Sequence, residues 1–246
     1  MLRIGTSILS IIVLLYFQSA VTRTSHIIFC DIGQGSATFV TVGSVQILID
    51  TGPNMRTLAC IGKHMPFFDH TIEFVIISHD QKDHAGALPA LLKKYKIGHI
   101  IGPPEIAKRN GNIPFTTVTN TVRFTINSLQ LIIIRASQSS TDLNEAANVV
   151  TIRSPLHVIF LTSDINGFEL QRLIPTDTTI LSIPHHGSKY GLYPDSLGLA
   201  RPTHAVISVG KKNTYGHPSK EVLDILKAKK IHLWRTDVQG ELVIDL

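Results

Sequence analysis

The chain has 246 residues, 43% of them hydrophobic and 17% charged, which excludes an intrinsically disordered protein and supplies enough apolar side chain for a substantial core. A formal net charge of +5 with histidine neutral is compatible with a polyanion or an anionic membrane surface as partner, and equally with an ordinary basic surface. Cys30 and Cys60 are the two cysteines, and they lack the short spacing of a structural zinc site or a redox pair.

Residues 1–24 form a hydrophobic leader in which Arg3 precedes an apolar run from Ile4 to Phe17. That length suits a signal-peptide core and falls short of the roughly 20 residues of a membrane span, although extension to Val21 gives a thin span. Phe17 and Gln18 stand where a cleavage site ahead of Ser19 or Ala20 wants a small residue. Signal peptide and uncleaved membrane anchor both stay open, and either places the domain of residues 25–246 outside the cytoplasm, secreted, periplasmic or anchored. A buried core helix is the third reading.

From Ser25 onward strand-like and helix-like segments alternate. "HIIFC", "ATFVTV" and "VQILID" are β-branched runs separated by the turns "GQGS" and "VGS". Cys30, within an apolar run, is expected as a buried free thiol, with a disulfide to Cys60 as the alternative. "EFVIIS" is a continuous apolar run, as expected of a strand covered on both faces. Asp83 to Lys96 then reads as one helix, with Ala87, Leu88, Leu91, Leu92 and Tyr95 in a stripe and three lysines in the last turn. Further strands are expected at "VRFTI", "LQLIII", "NVVTIR", "HVIFLT", "TTILSI", "HAVISV" and "HLWR", with a surface loop over Arg135–Ala147. A final helix is expected to begin at His217-Pro218.

Four loops follow or open apolar strands with metal-binding or polar residues: His79 to His84, Asn148, Asp164, and His185-His186. Strand ends of one sheet share a rim, so these side chains converge although they are far apart in sequence. Imidazole and carboxylate donors together suit zinc, manganese or iron. A divalent ion there lowers the pKa of coordinated water towards roughly 7 and polarises the oxygen under attack.

In chain order, "SHDQKDHAGAL", "FLTSD" and "IPHHGS" resemble the metal loops of the metallo-β-lactamase fold. More narrowly, "CDIGQGS", "LIDTG", "PHHGSKYG", "AVISVGKKNTYGHP" and "RTDVQGELVI" resemble the C-terminal hydrolase domain of the ComEC competence protein, from about His26 to Leu246. The resemblance implies a single α/β domain, an αββα sandwich of two mixed β-sheets flanked by helices, with one or two zinc or manganese ions. It also implies phosphodiester hydrolysis on DNA. Asp83, His84, Asp164 and His185 are the expected intact donor set, with Asp164 as the bridge. His79, Gln81, Asn148 and Asp31 are the further metal candidates.

Two positions depart from the pattern. Gln81 stands where the fold's HxHxDH motif has histidine and ComEC-type domains often have aspartate. Ser36 stands where "DVGQGD" ends in aspartate, while Asp31 and Gln34 remain. Gln81 and Asn148 read either as weak ligands or as hydrogen-bonding struts. Asp50 in "LIDTG" reads as a turn former or as an outer partner of the donors. Asp83 is expected to orient the attacking water or take its proton. His186, Lys189 and His217 are expected to contact phosphate or protonate a leaving oxygen, and Lys211 and Lys212 lie in loops that would face DNA. Two alternatives accompany the nuclease reading: a hydrolase of a small ester, lactone or cyclic nucleotide, and a non-catalytic module that binds nucleic acid or a protein partner.

Overall fold

A computed structural model describes residues 25–246; the expected leader, residues 1–24, lies outside the described residues. Two seven-stranded sheets stack face to face. The first runs β14 (Leu242–Asp245), β1 (Ser25–Phe29), β2 (Thr38–Val42), β3 (Val45–Ile49), β4 (Thr71–Ile76), β5 (Lys96–Gly102) and β6 (Phe115–Thr117). The second runs β13 (His232–Arg235), β12 (His204–Ile207), β11 (Ile180–Ser182), β10 (Val158–Leu161), β9 (Asn148–Arg153), β8 (Leu129–Arg135) and β7 (Thr121–Ile126). Both sheets mix parallel and antiparallel pairs, for example β3 with β4 and β1 with β2.

The period of two along the strands sorts side chains into three apolar layers. Ile27, Phe29, Val40, Ile47, Leu131, Val150 and Ile159 fill the space between the sheets. On the outer face of the first sheet, Ile28, Cys30, Val75 and Ile77 pack against Leu58 and Ile61 of α1 (Arg56–His64), and against Leu88 and Leu91 of α3 (Leu88–Lys94). On the outer face of the second, Phe160, Leu181 and Ile207 meet Leu170 of α4 (Gly167–Leu173), and Val222 and Leu226 of α5 (Lys220–Ala228). Helix, sheet, sheet, helix is the expected order of layers.

The expected helix from Asp83 to Lys96 is two short helices, α2 (Lys82–Ala85) and α3. Pro89 has no N–H to continue the ladder, and Ala87 N donates instead to Gly52 O at 2.9 Å. A Cβ at Gly86 would fall 2.3 Å from Lys82 O, so the close turn there requires glycine. Lys96 then opens β5, a strand hidden from the periodicity because its lysine continues the basic helix end. The final helix starts at Lys220 rather than at His217-Pro218, because Ser219 is the residue whose hydroxyl accepts from Val222 N. Helices α1, α4 and α6 (Thr236–Gln239) and strands β5, β6 and β14 stand where no element was expected. Cys30 is not a free thiol: it is bonded to Cys60 of α1.

Among the described residues no helix is long and apolar enough to cross a membrane.

Candidate metal centre

The carboxyl ends of β3, β4, β10, β11 and β12 meet at one rim, and the antiparallel β9 begins there. Asn148, first residue of β9, fastens the sheets together at this rim. Its N–H donates to Ser78 O at 2.9 Å and its Nδ2 donates to Ile77 O at 3.1 Å. Asn148 is therefore a strut through its NH₂, while its Oδ1 is buried without a partner.

Asp83, His84, Asp164 and His186 offer one donor atom each within 4.8 Å of one another. Their neighbours fix which atom each imidazole presents. Asp50 accepts from His84 Nδ1 at 2.7 Å, and Ser208 O accepts from His186 Nδ1 at 2.8 Å. A carbonyl or carboxylate oxygen only accepts, so both Nδ1 atoms carry the proton and both Nε2 lone pairs face the carboxylates. His84 Nε2 lies 3.0 Å from Asp164 Oδ1, and His186 Nε2 lies 3.4 Å from Asp83 Oδ2 and 3.7 Å from Asp164 Oδ1. None of these approaches has hydrogen-bond geometry: both Nε2 atoms, Nε2 of His79 and both oxygens of Asp164 are buried with no partner. Acceptors crowded on one point with no donor among them fit a cation.

Electrostatics agrees. Burial lowers the His84 pKa, but the charges of Asp164 and Asp50 outweigh it and hold His84 well above the ordinary histidine value. Burial raises Asp164, yet His84 and His186 hold it well below the usual carboxylate range. The buried Asp164 and the half-buried Asp83, facing two imidazoles, favour positive charge between them, as protons or as a divalent ion.

His79 stands beside this group, its ring centroid 4.2 Å from that of His84. Burial and the neighbouring His84 push its pKa down to about 4, so it is neutral at pH 7. Its Nδ1 lies 3.0 Å from Ser78 Oγ and 3.3 Å from Ser163 Oγ. Backbone conformation is unusual here as well. Asp50, Ser163, His185 and His186 all have φ between 50° and 58°, a region that non-glycine residues seldom occupy and that is stored mainly at functional sites.

The structure places the two adjacent histidines differently from the expectation. His186, expected at the phosphate, joins the donor group. His185, expected as a ligand, is half-buried with Nε2 3.8 Å from Asp164 Oδ2 and faces a cleft. Consecutive left-handed residues cause the difference, because they turn the second imidazole inward to Ser208 O. Asp31 is not in the donor group: it is exposed, and its carboxylate accepts from Gly33 N at 3.4 Å. Gln81 lines the cleft, whereas Ser36 lines a small void with His84, Asp164 and His186.

The cleft opens over Asp83, the least buried donor, and its wall carries Arg56, Lys82, Lys212, His185, Tyr215 and His217. Asn213 holds the His217 backbone by two bonds, accepting from its N–H at 2.9 Å and donating to its carbonyl at 2.7 Å. Burial, then His185 and His186, lower the His217 pKa. Lys189 and Lys211 are exposed and do not line the cleft. Sequence reasoning missed Arg56, Lys82, Asn213, Tyr215, Ser163 and Ser208. Asn213 and Tyr215 lie within "KKNTYGHP", a polar, turn-rich stretch that could have signalled them.

No protein-family model matches the chain. It is 27% identical over 247 residues to Recombination protein 2 of Haemophilus influenzae, and 24% identical over 265 residues to ComE operon protein 3 of Bacillus subtilis, each covering 94% of the chain. Competence protein ComA of Neisseria gonorrhoeae is 25% identical over 88% of the chain. The chain spans 30–34% of the length of these relatives. Among solved structures, the metallo hydrolase Igni18 of Ignicoccus hospitalis superposes with a TM-score of 0.64 at 16% identity, covering 90% of this chain and 99% of that one. The metallo-β-lactamase fold protein YhfI of Bacillus subtilis gives 0.63 at 12% identity, covering 90% of this chain and all of YhfI. CmlA, a diiron β-hydroxylase from Streptomyces venezuelae, also gives 0.64 at 12% identity over 91% of this chain and 54% of its own. The shared fold therefore hosts more than one reaction.

Proposed function

We propose that this metallo-β-lactamase-fold chain, similar over most of its length to a part of three competence and recombination proteins, is a metal-dependent phosphodiesterase that acts on DNA outside the cytoplasm. One observation carries the reading. A four-donor group of Asp83, His84, Asp164 and His186 opens into a cleft whose wall bears Arg56, Lys82 and Lys212.

Asp83, His84, Asp164 and His186 would hold the ion, zinc or manganese by donor type. When bound, it supplies positive charge that acidifies water and draws electron density from a phosphoryl oxygen. The remaining work falls to the chain. Asp50 and Ser208 O lock the two imidazoles in the tautomer that presents Nε2. Arg56, Lys82 and Lys212 neutralise and orient the phosphate, which is positioning without base readout. His217 has a depressed pKa and keeps a neutral imidazole in the cleft near pH 7. In this reading it takes a proton from the attacking water or returns one to the leaving oxygen.

The test is turnover by the full chain, supplied with manganese or zinc, on DNA and on an activated phosphodiester, beside a carboxylic ester and a lactone. Phosphodiester cleavage abolished by Asp164→Ala, with circular dichroism unchanged, is the expected result. Turnover of the ester or lactone alone would replace the substrate class. A metal-loaded protein inert on all of them, yet holding DNA, would make it a binding module.

A further inference from the structure

We infer that the turn carrying Phe67 and Phe68 is a docking surface for an anionic lipid bilayer, at the pole of the domain opposite the metal rim. The two rings are the most exposed large aromatic side chains of the described residues, at 86% and 75% of full exposure, and they pack edge to face with centroids 5.0 Å apart. Soluble surfaces bury such a pair unless it meets something apolar.

Register fixes where the turn lies. Ser25 pairs with Val42, Val42 with Val45, Ile47 with Phe74, and Thr71 with Lys96. Ser25, Val45, Thr71 and Lys96 therefore form one edge of the first sheet, while the opposite ends of β3 and β4 lead to Asp50 and His79. The Pro66–Asp69 turn is tied to this lower edge, for Asp69 N donates to Pro66 O and Asp69 Oδ1 accepts from Thr71 N. The β9–β10 turn of the second sheet points to the same pole and presents Leu156, 63% exposed.

Charge and chain path select the occupant. Lys93, Lys94 and Lys96 are exposed around the turn. Of the acids at this pole, Glu73 and Asp69 are engaged with Gln46 N and Thr71 N, and the exposed Asp245 at the Ser25 end of the sheet is paired with His26 at 2.8 Å. Exposed aromatic rings flanked by free lysines match the interfacial zone of a bilayer with anionic headgroups, where rings sit at the boundary and ammonium groups meet phosphate. The chain also enters β1 at this pole, at Ser25, a few residues after the apolar run Ile4–Phe17. Docked this way, the domain faces its cleft away from the lipid.

The experiment places a reporter in the tip. Full-length chain carrying Phe68→Trp is reconstituted in bilayers of phosphatidylcholine and phosphatidylglycerol, with wild type giving the background of Trp234. The expected result is a blue-shifted emission quenched by acyl-brominated lipid, and loss of that quenching when Lys93, Lys94 and Lys96 are all changed to glutamate. An emission that stays red-shifted and unquenched would overturn the proposal. So would a shift without lipid quenching in a protein that sediments as a dimer, since the tip would then meet a second copy.

Discussion

Asp50 and Asp164 grip the two nitrogens of one imidazole: Asp50 Oδ2 accepts from His84 Nδ1 at 2.7 Å, and Asp164 Oδ1 lies 3.0 Å from His84 Nε2. Asp50 also accepts from the N–H and hydroxyl of Ser78, at 2.8 and 2.9 Å. One carboxylate outside the donor group thus fixes a ligand's tautomer and the end of the strand that carries His79. Asp50→Asn keeps the shape but offers only one acceptor oxygen. Metal affinity should fall about 10–100-fold, read by competition with a coloured chelator, with the far-ultraviolet spectrum unchanged. Asp50→Ala should in addition cost about 1–3 kcal/mol for each buried partner left unpaired, read by urea denaturation. Wild-type affinity in Asp50→Asn would remove Asp50 from the metal's support.

The αββα layering was expected from the motif resemblance, and most strands, though not β5, β6 and β14, were legible because each carries its own evidence. Ile27 and Phe29 face one layer while Ile28 and Cys30 face the other, a period that needs no partner strand to be read. Asp83, His84 and Asp164 were legible for a similar reason, since each sits just after an apolar run. The choice between His185 and His186 was not. It depends on two left-handed residues and on Ser208 O arriving from β12, a contact between segments 22 residues apart. The basic wall was hidden in part likewise, because Arg56 resembles an ordinary surface charge until folding sets it on the cleft with Asp83 and its chain neighbour Lys82.

That placement of the histidines separates two variants. His186→Ala removes a buried donor whose Nε2 has no protein partner. It should lose more metal affinity than the 10–100-fold typical of an outer partner. His185→Ala removes a half-buried ring whose centroid is 5.9 Å from that of His217; metal content should hold while phosphodiester turnover drops. Elemental analysis after gel filtration decides between them. Metal lost from His185→Ala and retained in His186→Ala would restore the sequence-based assignment.

Ser36 tests whether the site accepts the carboxylate expected there from the "DVGQGD" pattern. The residue lines a small void beside Asp164, and its N–H donates to Asp83 O at 3.0 Å. Ser36→Asp puts a third carboxylate against two others. Without metal, like-charge crowding of one or two pKa units should destabilise the fold by about 1.4–2.8 kcal/mol. With metal the sign should reverse, because an added donor binds the folded state alone, and a ligand at 100 times its Kd contributes about 2.7 kcal/mol. Thermal melting with chelator and then with manganese reads both halves. A variant whose melting point moves equally under the two conditions would show that the new carboxylate does not reach the ion.

Cys30 and Cys60 tie the end of β1 to the middle of α1, and α1 begins at Arg56, the cleft residue. The bond closes a loop with a sequence separation of 30, for which the chain-entropy account gives about 3.6 kcal/mol at 25 °C. Both side chains are buried in the outer layer of the first sheet, among residues such as Leu58, Ile61 and Leu88. That layer remains when the bond is cut. Cys30→Ala with Cys60→Ala, or reduction of the wild type, should therefore lower the urea midpoint and leave a folded domain. Metal content should be unaffected, because none of Asp83, His84, Asp164 and His186 belongs to the disulfide-linked helix. Equal stability of the reduced and oxidised chains would mean that the apolar layer alone sets the position of α1. Loss of metal on reduction would mean that α1, through Thr57 Oγ1 and its bond to Thr51 O at 2.6 Å, also holds Asp50 in its left-handed turn.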